Sequence, residues 1–392
     1  MKYVLGAKCV KCGREYAAVP DLTTCACGGI LDIQYDYAAI RRDCSPRDLE
    51  GNPDRSMWRY RPFLPVEETT APPPLRVGWS PLYKADRLAE ELGLKTLYIK
   101  DDGLNPTASL KDRASAMAVA KAKEAGADTI ACSSTGNAAS SLAGNAAAAG
   151  FATYIFVPSR APKGKVAQLR IFGATVISVD GSYEDTFELS KAAIGKWGWY
   201  NRNAAINPYL SEGDGCTIAG AWKGLKDLYA AGFIEKLPQL IAVQAEGCCP
   251  LNRAIQTGQP WQPMEENTLA DSIAVGVPRN PDKALNAIRE SEGVAVNVSD
   301  EEILSAMRLL GRTQGVFGEP AGVTGTAGVK KALELGLIPP DSTVVSIVTG
   351  NGLKDVANGI KAAGEPMLVR PDMEALLAAF AAHHITPVER NH

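Results

Sequence analysis

The segment Asn105-Pro106-Thr107-Ala108-Ser109-Leu110-Lys111-Asp112-Arg113 puts one lysine at the start of an alanine-rich helix, just after the strand-like run 96–99. A lysine held rigidly beside a Gly/Ser-rich anion site and stripped of hydration becomes a usable nucleophile. That is the requirement of a Schiff-base cofactor, and it predicts a pyridoxal phosphate enzyme. Such a cofactor also needs a phosphate cradle and a partner for its pyridine ring.

Three other stretches offer those parts. Ser133-Ser134-Thr135-Gly136-Asn137 follows strand 128–132 and opens a long Ala/Ser helix. Its hydroxyls, glycine turn and helix-start amides suit an amino-acid carboxylate, and Asn137 suits a phenolic oxygen; the same residues also make a plain N-cap turn. Gly213-Asp214-Gly215-Cys216-Thr217 opens a helix with apolar residues at 218, 221, 222, 225, 228 and 229. Backbone amides there could hold a phosphate, although Gly-Asp-Gly is also a common turn. Strand 343–348 ends in Thr349-Gly350-Asn351-Gly352, and a hydroxyl at 349 could meet the pyridine nitrogen without fixing a proton on it.

The elements that must position these residues alternate. Strands are expected at 96–100, 128–132, 152–157, 174–179, 240–245 and 343–348. Helices are expected at 84–92, 111–125, 137–149, 163–172, 184–196, 217–231, 300–312 and 323–336. Alternation of this kind implies an α/β fold with mainly parallel sheets and helices on both faces, with ligands at the carboxyl ends of the strands. Charged residues are 22%, apolar residues 46% and the net charge is −3 over 392 residues, an ordinary globular balance that favours neither nucleic acid nor membrane partners. The start lacks the apolar core of a signal peptide, and nine cysteines suggest a reducing cytoplasm. The three histidines all fall in the last ten residues. The body of the chain therefore has none for a Ser-His-Asp, Cys-His or His-based zinc site, which favours the lysine.

Residues 1–36 read as a separate module. Cys9-x-x-Cys12-Gly13 and Cys25-x-Cys27-Gly28-Gly29 are two cysteine knuckles backed by glycine, the pattern of a zinc ribbon. The second knuckle is tight, so both a structural zinc and a metal-free β-ribbon stay open. The Pro-rich stretch 37–80 is expected as an extended arm over the body or a subunit contact, which hints at a homodimer. Cys132, Cys248 and Cys249 read as packing residues. Cys216, at a helix start, reads as a small space-filler in an unusual setting.

Together the Lys111 motif, Ser134-Thr135-Gly136-Asn137 and Thr349-Gly350-Asn351-Gly352 resemble threonine synthase, a family of the tryptophan synthase β-like fold. Gly164–Leu169, Val243–Gly247 and the cysteine module are similar too, so the resemblance covers most of the chain. It implies that Lys111 carries the cofactor, Asn137 contacts its O3′, residues 213–217 hold its phosphate and Thr349 meets the ring nitrogen. Ser134, Thr135 and Asn137 would border a phosphorylated amino acid, with O-phosphohomoserine and water giving threonine and phosphate. It also implies a cofactor domain of residues 81–126 with 205–392 and a small domain of 127–204.

Two features depart from the family. Asn207-Pro208-Tyr209 is followed by Leu210 where an arginine is usual; Arg202 and Arg160 are the nearby substitutes. A helix and a core strand, roughly 20–30 residues, are also missing before Asp214, which predicts an opened sheet edge. These departures keep alternatives open: a related enzyme acting on O-phosphoserine or a hydroxyamino acid, or a cofactor-poor deletion variant.

Overall fold

Local sequence rules account for most of the element boundaries in the computed structural model, which describes residues 1–161, 163–203, 206–213 and 217–387. The N-terminal module is an antiparallel ribbon of β1 (Val4–Cys9), β2 (Glu15–Tyr16) and β3 (Leu31–Tyr35), in the order β2-β1-β3. Leu31, Ile33 and Tyr35 alternate into the interior, as a half-buried strand requires. The next segment is not simply extended: it forms α1 (Tyr37–Asp43), α2 (Pro46–Glu50) and a 3-10 turn over Met57–Phe63. Asp36 caps α1, and a Ser45/Asp48 capping box with Pro46 at the first helical position nucleates α2. Met57, Trp58 and Phe63 then join the ribbon's core.

The body follows the expected alternation closely. β4 (Leu82–Lys84), α3 (Asp86–Leu92), β5 (Thr96–Asp101) and α4 (Asp112–Glu124) lead into a four-stranded parallel sheet. That sheet is built from β6 (Thr129–Ser133), α5 (Asn137–Ala148), β7 (Ala152–Pro158), α6 (Lys163–Ile171), β8 (Thr175–Val179), α7 (Tyr183–Trp197) and β9 (Tyr200–Asn201), with strand order β8-β7-β6-β9. α7 begins on a Ser182/Asp185 capping box and stops at Gly198, whose φ of +69° suits a residue without a Cβ.

The chain continues through α8 (Tyr209–Gly213), α9 (Thr217–Ala230), β10 (Ile241–Ala245), α10 (Pro250–Thr257), α11 (Pro281–Glu290) and β11 (Val294–Val298). It ends with α12 (Asp300–Gln314), α13 (Pro320–Glu334), β12 (Thr343–Val348), α14 (Val356–Ala363) and α15 (Met373–Ala382). α11 and β11 fall in a stretch that the sequence reading leaves unassigned. No helix of the described residues is long and apolar enough to cross a membrane.

The second sheet is interrupted. β12-β5-β4 form one three-stranded piece and β10-β11 a separate parallel pair. Both pieces share one core, in which Leu97, Ile99, Val344 and Val348 meet Ala245, Val296 and Val298. Both also lie under α13, whose glycines let the backbones approach. A Cβ on Gly322 would sit 2.7 Å from the Gly350 carbonyl oxygen, and one on Gly328 only 2.2 Å from the Val243 side chain. Among the described residues β12 pairs only with β5, and β10 only with β11. Two parallel edges under one helix, unbonded to each other, are what a sheet missing a strand would leave. Val345 on β12 is 54% exposed, where a strand inside a parallel sheet would be covered.

Candidate active site

Lys111 is the N-cap residue of α4, and the loop before it is pinned from two sides. Asp112 is fully buried and accepts from the Thr107 amide and hydroxyl (2.8 Å each) and from Asn145 Nδ2 (2.8 Å). Burial raises the Asp112 carboxyl above its usual range while those donors oppose the shift. Arg113 forks onto Asp102 at 2.5 and 2.8 Å. The other side of the loop is bonded to the turn after β12. Leu110 N–H donates to the Thr349 carbonyl (2.8 Å), Asn351 N–H donates to Ala108 O (3.1 Å), and Ser109 bridges to Gly350. Ala108 is held at φ +67°, a conformation costly for a residue with a Cβ. The fold therefore fixes this lysine's backbone independently of any ligand.

Asn137 reaches the same place from the other sheet. It begins α5 behind a glycine N-cap, with no side chain capping the helix, so the first amides are left to a ligand. Ser134 and Thr135 are half-buried in the loop before it, and the Ser134 hydroxyl accepts from Gly136 N–H at 3.2 Å. Asn137 Nδ2 donates to Glu319 Oε1 at 2.6 Å, a partner that the sequence reading missed. Glu319 is 2% exposed, and burial pushes its carboxyl up to about 7. A Cβ on Gly350 would lie 2.2 Å from Glu319 Oε1 and 3.2 Å from Asn137 Nδ2, so the turn after β12 can pass this close to the pair only as glycine. The signal for Glu319 was the Gly318-Glu319-Pro320 sequence opening a helix. A second missed residue is Lys354, five positions beyond Thr349.

The raised Glu319 value has a consequence for stability. The folded chain binds this proton more tightly than the unfolded chain, so the contribution is complete below about pH 4.5 and lost as pH rises through about 7. The loss is on the order of 3 kcal/mol. Glu319→Gln is expected to flatten the fall in Tm between pH 4.5 and 7, measured by calorimetry on the cofactor-free protein.

The other sequence candidates divide. Gly213 closes α8 and Thr217 opens α9, while Asp214, Gly215 and Cys216 lie outside the described residues. Leu210 is 1% exposed and packs with Ala114, Ala118, Ile130 and Cys132, so it is a core residue and takes no part in the site. Arg160 is exposed. Arg202 is buried, and its guanidinium donates to Ser115 Oγ (3.3 Å), one helical turn beyond Lys111. An apolar cavity of about 760 Å³ lies between Tyr60, Phe63, Trp79 and α9, but it does not reach Lys111. Of its three cations, Arg113 is paired with Asp102 and Lys223 with Asp227 at 2.8 Å, while Lys100 donates to the Ser80 carbonyl oxygen.

In the ribbon, the Sγ atoms of Cys9, Cys12, Cys25 and Cys27 lie within 4.8 Å of one another. Cys9–Cys27 and Cys12–Cys25 are 3.6 and 3.5 Å apart. A tetrahedron with metal–sulfur bonds of about 2.3 Å has edges of about 3.8 Å, so the four thiols fit a zinc-sized ion. A Cβ on Gly29 would come within 2.6 Å of Cys9 Sγ, which explains the second glycine of the second knuckle.

Pyridoxal phosphate also finds matching groups in this chain. Ser109 is fully buried beside the lysine, and its Oγ has no hydrogen-bond partner among the described residues. That orphaned hydroxyl, the uncapped α5 and the Gly350 approach fit a polar, anionic group next to Lys111.

Comparison with known proteins agrees with this geometry. A family described as pyridoxal-phosphate dependent enzyme matches residues 74–215 and, in a second segment, 211–350. A threonine synthase of Methanosarcina acetivorans is 39% identical over 401 aligned residues, covering 95% of this chain and 98% of that one. A threonine synthase of Methanocaldococcus jannaschii is 37% identical over 399, covering 94% and 98%. The first alignment is longer than the chain itself and leaves about thirty positions of the relative without a counterpart here. The two matched segments meet at residues 211–215. In fold, the chain resembles processed threonine deaminase isoform 2 of Solanum lycopersicum (TM-score 0.61, 19% identity, 72% of this chain and 87% of that one). It also resembles an L-serine ammonia-lyase of Rhizomucor miehei (TM-score 0.60, 18% identity, 74% and 98%). The chain belongs to the threonine synthase family of pyridoxal-phosphate dependent enzymes.

Proposed function

We propose that this chain converts O-phosphohomoserine and water to threonine and phosphate, with Lys111 as the cofactor lysine. The observation that carries this reading is the convergence of the Lys111 loop, Asn137 and the Thr349–Asn351 turn. Pyridoxal phosphate, when bound, supplies an electron sink for carbanions at the substrate's Cα and Cβ. The chain's own residues do the rest. Asn137 would hold the cofactor's phenolic oxygen, Thr349 its ring nitrogen, and Gly213, Asp214, Gly215, Cys216 and Thr217 its phosphate. Ser134, Thr135 and Asn137 bind the substrate carboxylate at the start of α5. The Lys111 amine removes the proton at Cα and then one at Cβ, the ester phosphate leaves from Cγ, water adds its hydroxyl at Cβ, and protons return to Cα and Cγ.

The test is phosphate release by purified, cofactor-loaded protein. O-phosphohomoserine is expected to give threonine and phosphate in equal amounts. Preference for O-phosphoserine would overturn the substrate and favour the second reading, β-replacement, which the burial of Leu210 motivates.

The four ribbon cysteines bind one structural zinc in this reading. Metal analysis is expected to find about one zinc per chain, and Cys25→Ser to lower Tm by roughly 5–10 °C. A metal-free protein as stable as the metal-bound one would remove the ion. We further assign residues 1–36 to the ribbon, 37–80 to the arm, 81–126 with 205–392 to the cofactor domain and 127–204 to the small domain. We also assign the enzyme to the cytoplasm, on its nine cysteines, and to a homodimer, on the arm over residues 37–80.

A further inference from the structure

Lys354 sits on the 3-10 turn Gly352–Lys354, directly after the glycines of the turn that follows β12. Its side chain crosses to the other sheet's helices. Nζ donates to Ser140 Oγ on α5 (2.9 Å) and to Gln168 Oε1 on α6 (3.3 Å), both neutral acceptors. Among the described residues no carboxylate comes within ion-pair distance of it. A mostly buried ammonium whose partners are a hydroxyl and an amide keeps charge to offer an anion. The titratable groups that face it are Glu319 from α13, Asp112 from α4 and Lys165 from α6. Lys165 is itself paired with Asp271.

Position decides which anion this is. Ser140 lies three residues beyond Asn137 on α5, about 4.5 Å further along the helix axis. The start of α5 is taken by the substrate carboxylate in the proposed reaction. A cation a few ångströms deeper matches the other charged end of a phosphorylated amino acid. The residue expected to hold that end, at position 210, is a buried leucine. Arg202 is engaged with Ser115 in the floor of the site.

We infer that Lys354, oriented by Ser140 and Gln168, binds the phosphate of the substrate and so sets the enzyme's preference for phosphorylated amino acids. The inference rests on the proposed function. Burial pulls the Lys354 ammonium down to about 8, so an arriving phosphate stabilises the charged form and raises it again.

The experiment uses the cofactor-loaded enzyme with inorganic phosphate as probe, by calorimetry, beside steady-state kinetics on O-phosphohomoserine. Lys354→Met is expected to weaken phosphate binding and raise KM about ten- to hundredfold, the usual effect of losing a charged hydrogen bond, with a smaller change in kcat. Lys354→Arg is expected to restore most of both. Phosphate affinity of the unsubstituted enzyme falls as pH rises above about 8, and Lys354→Met removes that part of the dependence. Unchanged phosphate affinity and KM in Lys354→Met, with the cofactor's visible band intact, would overturn the inference and leave the proposed function standing. The same holds if Arg202→Leu alone produces the loss. Absence of cofactor binding or turnover in the unsubstituted enzyme would instead overturn the proposed function.

Discussion

Lys111→Ala is expected to remove the visible absorbance of the cofactor-loaded protein and to lower threonine formation at least about a thousandfold. Two jobs are lost together, because the same amine attaches the cofactor and moves the substrate's protons. Lys111→Arg separates nucleophilicity from charge. It keeps a cation at the start of α4 but presents no amine, and it should fail equally. The loop's supports lie elsewhere, in the Asp112 hydrogen bonds and the pairing with the Thr349–Asn351 turn. Far-ultraviolet circular dichroism of both variants should therefore match the unsubstituted protein. A variant that keeps the visible band would show that the reactive lysine lies elsewhere.

Inserting the helix and strand expected before Asp214, about thirty residues taken from the Methanosarcina relative, between Gly213 and Asp214 is expected to raise Tm by roughly 10 °C or more. A strand entering between β12 and β10 would satisfy two parallel edges at once, with about one net kcal/mol for each of several backbone hydrogen bonds. It would also cover side chains such as Val345. Ordering the added residues opposes this, and a gain on the order of 5 kcal/mol remains. Differential scanning calorimetry of the two proteins gives the answer. An unchanged Tm would mean that the two sheet pieces are already at their most stable without a strand between them.

Much of this arrangement was legible in the sequence, for identifiable reasons. Strands such as Thr343–Val348 and helices such as α4 have strong local periodicity and clear flanking turns, so their positions followed from residue pattern alone. The Lys111, Asn137 and Thr349 stretches sit where strands end, and the fold brings them together. Glu319 and Lys354 escaped because their importance lies in partners far along the chain: Asn137 is 182 residues from Glu319, and Ser140 is 214 from Lys354. Neither residue type nor spacing announces such a pairing. The arm was expected to be extended because prolines dominated its reading, while the caps at Asp36 and Ser45 that make it helical are one-residue signals. An opened sheet edge was expected from missing length alone, while which strands stay unpaired, β12 and β10, needed the strand pairing to be seen.

The helix that begins at Lys111 has one more property. Toward the ribbon it buries Ala116, Met117 and Ala120; toward the small sheet it buries Ala114, Ala118, Val119 and Ala122. Against α5 it offers mainly alanine and serine, joined by the 2.6 Å contact between the Ser115 and Ser141 hydroxyls. Short side chains interlock little and have almost no rotamers to change. Displacement along such an interface meets low resistance, whereas tilting would open two cores at once. A displacement of the small sheet along α4 would therefore run by shear rather than by tilting, and it would carry the Ser134–Asn137 loop with α5.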